Sequence, residues 1–204
     1  MPGVVLLLYP ADRLLSSLVE LRSFDCFQNL ENSPRYRPWW WVPVLWLDPL
    51  RAFLGTVLLQ HAVGVGDATW AVTPKPEYAL LVGIIGLGVV CQTITRRGDT
   101  GVLLAPIGFV AGIVMALTPL PVALLGIVTA TLGLFAVRQF HAFFAFGLVA
   151  VCLLGVVLGT EMMWIGPAVG VLSLPIVAGL VTGSTLEVPT RNGSGRPQLP
   201  RLKT

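Results

Sequence analysis

Charge is what this 204-residue chain has least of: Asp, Glu, Lys and Arg together make up 11% of it, where soluble domains carry about 25%. A shortfall of that size excludes an ordinary water-facing surface. Histidine occurs twice, at His61 and His141. Two such distant residues cannot form an HExxH zinc site. Cys26, Cys91 and Cys152 are scattered and make no CxxC pair, so neither a zinc ribbon nor a disulfide framework is expected. GxSxG elbows, P-loops and GxGxxG turns are missing, and Gly193-Ser194-Gly195 reads as a linker feature. The net charge of +3 is spread over several short segments and forms no nucleic-acid-binding patch. No cofactor or metal is expected, no nucleic-acid partner, and no enzymatic activity.

What the chain has instead is apolar length. It is 55% hydrophobic, with a mean hydropathy of +0.82. Six apolar stretches stand out at 50–66, 78–95, 101–117, 121–137, 142–159 and 163–183. At 1.5 Å per residue, each is close to the roughly 30 Å of a bilayer's hydrocarbon core. With the N-terminus placed inside, Arg13, Arg22, Arg35, Arg37, Arg51, Arg96, Arg97, Arg138, Arg191, Arg196, Arg201 and Lys203 all fall on the cytoplasmic side. Lys75 alone falls outside, a ratio of 12 to 1. The positive-inside rule then predicts an all-α, polytopic bundle of about six spans, with both termini in the cytoplasm. Arg outnumbers Lys by 11 to 2, in keeping with a GC-rich bacterial genome, and the expected location is a bacterial inner membrane.

Residues 1–48 read as a cytoplasmic and interfacial segment, 49–183 as the transmembrane bundle, and 184–204 as a disordered cytoplasmic tail rich in Gly, Ser, Pro and basic residues. The run Val4–Leu8 is too short for a signal-peptide core and has no basic residue before it, so the first spans are expected to act as uncleaved insertion signals. Leu14, Leu15, Leu18 and Leu21 recur at helical spacing, which predicts a short amphipathic helix over Ala11–Phe24. Trp39, Trp40, Trp41 and Trp46 lie among Pro34, Pro38 and Pro43. Indole rings favour the headgroup level, so these residues are expected to form an aromatic belt at the inner interface. The sharper alternative is a stacking platform for a lipid headgroup or a sugar. Asp48-Pro49 predicts a helix start, with Asp48 as N-cap and Pro49 in the first turn. Arg51 lies three residues on, in reach of Asp48.

Four GxxxG pairs fall within the apolar stretches: Gly108/Gly112, Gly155/Gly159, Gly166/Gly170 and Gly179/Gly183. Small residues one turn apart let helix backbones approach closely, which predicts packing sites inside the bundle or an interface with a partner. Deep ionisable groups, by contrast, are almost lacking. Gln60, His61 and Gln92 are the polar residues that a cavity would gather. Ion-coupled transport needs a charged or titratable site in the membrane. The expected function is therefore non-catalytic: a scaffold or accessory subunit of a membrane assembly, in contact with lipid and with other membrane proteins or copies of itself. The alternative is a small transporter or channel for a neutral or lipid-like substrate. A lipid-modifying enzyme using Asp48, Arg51 or Glu161 is a third class.

Overall fold

A computed structural model describes residues 2–9, 21–24, 43–64, 76–94, 103–183 and 186–191. These contain seven helices: α1 (Pro2–Leu8), α2 (Pro43–Val63), α3 (Pro76–Ile94), α4 (Ile107–Leu117), α5 (Leu120–Val137), α6 (Phe140–Val157) and α7 (Met162–Thr182). Three short strands accompany them: β1 (Leu21–Phe24), β2 (Leu103–Leu104) and β3 (Leu186–Arg191).

Among the described residues four helices, rather than six, are individually long and apolar enough to cross a membrane: α3, α5, α6 and α7. Two expected spans take a different form. The first becomes α2, which begins at Pro43 and carries Asp48, Pro49 and Arg51 in its first half. Asp48 is thus not an N-cap, and Pro49 sits inside the helix, where it removes one backbone donor. The third expected span, 101–117, divides. Leu103 and Leu104 pair in a sheet and the helix starts only after Pro106. That leaves α4 with 11 residues, about 16 Å of helix. Its shortness is tolerable because of where it lies. Every α4 residue is buried or half-buried, enclosed by α2, α7, α5 and α3. Irregular backbone at membrane depth is stable only when protein, not lipid, surrounds it.

The helices pack in two groups joined by α7. In the first, α2 lies against α1 and α4, and α1 also touches α3. In the second, α5 and α6 form a close antiparallel hairpin, with α7 along α6. α7 then contacts α3 and α4. A single apolar core runs through both groups and includes Leu7, Ile85, Phe109, Ile113, Phe144 and Val151. The outward faces remain apolar, with Leu124, Leu132, Leu153, Val157 and Leu180 all exposed. Such faces suggest contact with lipid.

Glycines set the closest crossings. A Cβ at Gly112 would collide with the Pro49 carbonyl, and one at Gly3 would lie 2.7 Å from the Gly55 oxygen. Cβ atoms at Gly126, Gly133 and Gly155 would meet Val151, Phe146 and Ile165 at 2.7 Å or less. The GxxxG pairs divide in role. Gly108 is half-buried and Gly179 buried. Gly159 and Gly183 have φ of 67° and 63° at the ends of α6 and α7, a left-handed turn that glycine adopts without a Cβ penalty. Gly166 and Gly170 differ from expectation: a Cβ on either would meet nothing within 4 Å. The close approach expected of that pair is not made within this chain, because α6 and α3 pack on other faces of α7.

The strands form one sheet in the order β1–β3–β2. β1 runs antiparallel to β3, with Leu21 opposite Arg191 and Phe24 opposite Val188. β2 runs parallel to β3, with Leu103 opposite Leu186. Residues 21–24 were expected at the end of an amphipathic helix and 186–191 in a disordered tail. Both are strands, because each supplies the other's ladder partners, which no local pattern reveals. Expectations for 10–20, 25–42, 65–75, 95–102, 184–185 and 192–204, including the belt residues Trp39, Trp40 and Trp41, fall outside the described residues. Trp46 lies on α2 and is 68% exposed.

Candidate functional site

Asp48 and Arg51 are three residues apart on α2 and so share a helix face. Arg51 Nη2 lies 3.0 Å from Asp48 Oδ1, and the two side chains are only 10% and 21% exposed. A charge this deeply withdrawn from water requires compensation, and Asp48 supplies it. Arg51 Nη1 also donates to the backbone oxygen of Tyr9. That oxygen lies just past the C-terminal end of α1, where carbonyls have no intrahelical donor and carry the negative end of the helix dipole. Gln92 Nε2 of α3 donates to the same oxygen over 3.1 Å. On another side, the guanidinium carbon stands 5.3 Å from the ring centroid of Phe109 on α4, within cation–π range. Arg51 Nε is buried and has no acceptor among the described residues. Four helices thus converge on one arginine.

The expected polar cavity of Gln60, His61 and Gln92 does not form. Gln60 lies near the C-terminal end of α2 and donates to the Ala116 oxygen over 3.3 Å. His61, beside it, is exposed. Gln92 lies near the C-terminal end of α3. Gln92 meets Arg51 at the Tyr9 oxygen, whereas Gln60 lies nine residues further along α2, about 13 Å of helical rise, and bonds to α4 instead. Glu161 is exposed at the start of α7, also remote from Arg51. The buried threonines offer nothing to a ligand through their hydroxyl protons. Thr56, Thr93 and Thr118 each donate to the carbonyl four residues back at 2.8 Å, the usual way a helical threonine satisfies itself. No group of three or more His, Cys, Asp or Glu side chains able to hold a metal occurs among the described residues.

Sequence reasoning pairs Asp48 with Arg51 and marks Gln92 as polar. It misses the acceptor they serve. The Tyr9 carbonyl is a backbone atom, and only the apolar run Val4–Leu8 hints that a helix ends there. Phe109 carries no signal separating it from the other core aromatics.

No known protein family matches this chain, and neither does any curated protein or solved structure. The class is therefore defined by the fold itself: a helical bundle with four candidate membrane spans, whose apolar faces suggest a membrane location and lipid contact.

Proposed function

We propose that this chain is a six-crossing protein of a bacterial inner membrane, with residues 21–24 and 186–191 on the cytoplasmic side, and that it serves as a non-catalytic scaffold or accessory subunit of a membrane assembly. Parity supports the six crossings. β1, β2 and β3 share one sheet, so all three lie on one side of the bilayer. An even number of crossings must then separate each from the next. α3 is a candidate span between β1 and β2, and the six-crossing reading pairs it with α2. α5, α6 and α7 are candidate spans between β2 and β3, and this reading completes the even count with α4. β3 also contacts α6, and Phe140 at the start of α6 joins Leu186 in the core, which supports an α5–α6 turn on the sheet side. The opposite end is consistent. Gln60 bonds to the end of α4, and Tyr78 at the start of α3 donates to Met163 at the start of α7. With the 12-to-1 excess of basic residues, the sheet side is the cytoplasmic side.

The scaffold reading is carried by the solid interior. Among the described residues, buried polar side chains are satisfied within the bundle apart from Arg51 Nε, and no polar path joins Gln60 to Gln92. The open pair Gly166/Gly170 on α7 offers a shallow face to a neighbouring helix. Reporter fusions after residue 204 and within 67–76 test the topology. The first should report from the cytoplasm and the second from the periplasm, and a periplasmic signal from the first overturns it. Purification in mild detergent, with identification of co-purifying proteins, tests the scaffold role. Stoichiometric partners are expected, and ligand flux in sealed liposomes without any partner would overturn it.

A further inference from the structure

α1 is a short helix seated in a groove between α2 and α3, not a span. It is seven residues long and wholly apolar, with the sequence PGVVLLL. A helix that short does not persist on its own in water, so its form depends on what holds it. One side is fully inside: Leu7 is 0% exposed, seated against Gly55 of α2 and Gly88 of α3. The other side faces outward, with Val5 62% exposed. The trough beneath α1 therefore opens laterally on the apolar exterior. Its floor is low because Gly55 and Gly88 have no side chains to fill it. At one end, two donors converge on a single oxygen, that of Tyr9.

What α1 presents to this trough is an apolar rod ending in a neutral carbonyl. We infer that the trough is a binding site for an acyl ester of a membrane lipid, its hydrocarbon tail lying along Gly55 and Gly88 and its ester carbonyl taking the place of the Tyr9 oxygen on Arg51 and Gln92, with α1 as the displaceable resident. A neutral carbonyl suits the site because a carboxylate would meet the charge of Asp48, 3.0 Å from Arg51. An sp² oxygen has two lone pairs and can accept from both donors at once. Arg51 Nε, buried without an acceptor among the described residues, leaves the site one donor richer than its present occupant satisfies. This inference goes beyond the scaffold role and needs only that α2 and α3 lie in the membrane.

The test uses photolabelling of the purified protein in detergent micelles. The probe is a fatty-acid methyl ester with a mid-chain diazirine. An alkane diazirine of the same length and the corresponding free fatty acid are the controls. Two variants release α1: deletion of residues 2–9, and Gly3→Leu, whose side chain would be driven into the Gly55 carbonyl. Wild-type protein should show weak labelling of peptides covering 52–59 and 85–92. Both variants should show labelling by the ester about tenfold stronger, because a resident that fills the site most of the time lowers its apparent affinity by that fraction. The alkane and the free acid should gain little, and Gln92→Leu in the deletion background should bring ester labelling down to the alkane's. Equal gains for ester and alkane would overturn the carbonyl site. Unchanged labelling in both variants, or failure of both to give a folded monodisperse protein, would make α1 a fixed structural part and overturn the proposal. The topology fusions report separately on whether α2 and α3 cross.

Discussion

The α1–α4 group and the α5–α7 group are built on different principles. The second consists of three helices of 18, 18 and 21 residues, with turns so short that only Arg138 and Gln139 separate α5 from α6. Its core is made of apolar side chains and glycines, and each helix has one face inward and one outward. The first group holds a seven-residue helix, an 11-residue helix and a proline inside α2. A buried ion pair lies at its centre. There, no element is complete alone: α4 has no outward face, and the end of α1 is closed by side chains from α2 and α3. Regular spans can be stable in lipid one at a time, whereas broken ones need their neighbours to satisfy the backbone. The first group is therefore the part whose integrity should depend on single contacts.

The largest expected effect breaks that dependence at its centre. Asp48→Ala leaves Arg51 buried without its counter-ion, which costs about 3–5 kcal/mol. Thermal unfolding in detergent should fall well below wild type. Replacing both residues with apolar ones of similar volume, Asp48→Leu with Arg51→Met, should recover much of the loss, because no charge then remains buried. A double variant as unstable as Asp48→Ala would mean that the bond from Arg51 to the α1 carbonyl carries the stability, rather than the balance of charge.

A smaller effect compares glycines across the two groups. Gly112→Leu forces a side chain into the Pro49 carbonyl where α4 crosses α2, and overpacking of this kind costs about 1–3 kcal/mol. Gly170→Leu on α7 places its side chain in open space, so stability in detergent should hold. If a partner helix docks on Gly166 and Gly170, the same variant should lose that partner on purification while remaining folded. Equal destabilisation by both substitutions would remove the distinction between the two groups.

The sequence makes the second group legible almost to the residue. Expected spans 121–137, 142–159 and 163–183 differ from α5, α6 and α7 by at most two residues at either end, because hydrophobic length and turn-forming residues are local signals. The first group is less legible, and for a physical reason. Apolar content marks 101–117 as a span, but its division into strand and helix follows from pairing with β3, a strand over 80 residues away in sequence. Pro49 after Asp48 is a sound local signal for a helix start, yet α2 begins upstream of it, at Pro43. The candidate site follows the same rule. Its side chains Asp48, Arg51 and Gln92 could be picked out individually, but the carbonyl on which two of them meet could not.

The smallest expected effect lies at the turn between α5 and α6. α5 ends on Arg138, whose φ of 60° and ψ of 23° are left-handed, while α7 ends on Gly183 at a φ of 63° and ψ of 18°. The backbone task is the same, since Arg138 N–H returns to the Leu134 carbonyl over 2.8 Å. A residue with a Cβ pays about 1 kcal/mol or more for this conformation, and glycine does not. Glycine also loses more freedom on folding, which offsets part of the gain. Arg138→Gly should therefore stabilise the protein by about 0.5 kcal/mol, and Gly183→Ala should destabilise it by a similar amount. Both shifts are measurable by denaturant unfolding in detergent. A loss of stability in Arg138→Gly would show that contacts of the guanidinium outweigh the backbone strain. The arginine would then hold the α5–α6 turn in place.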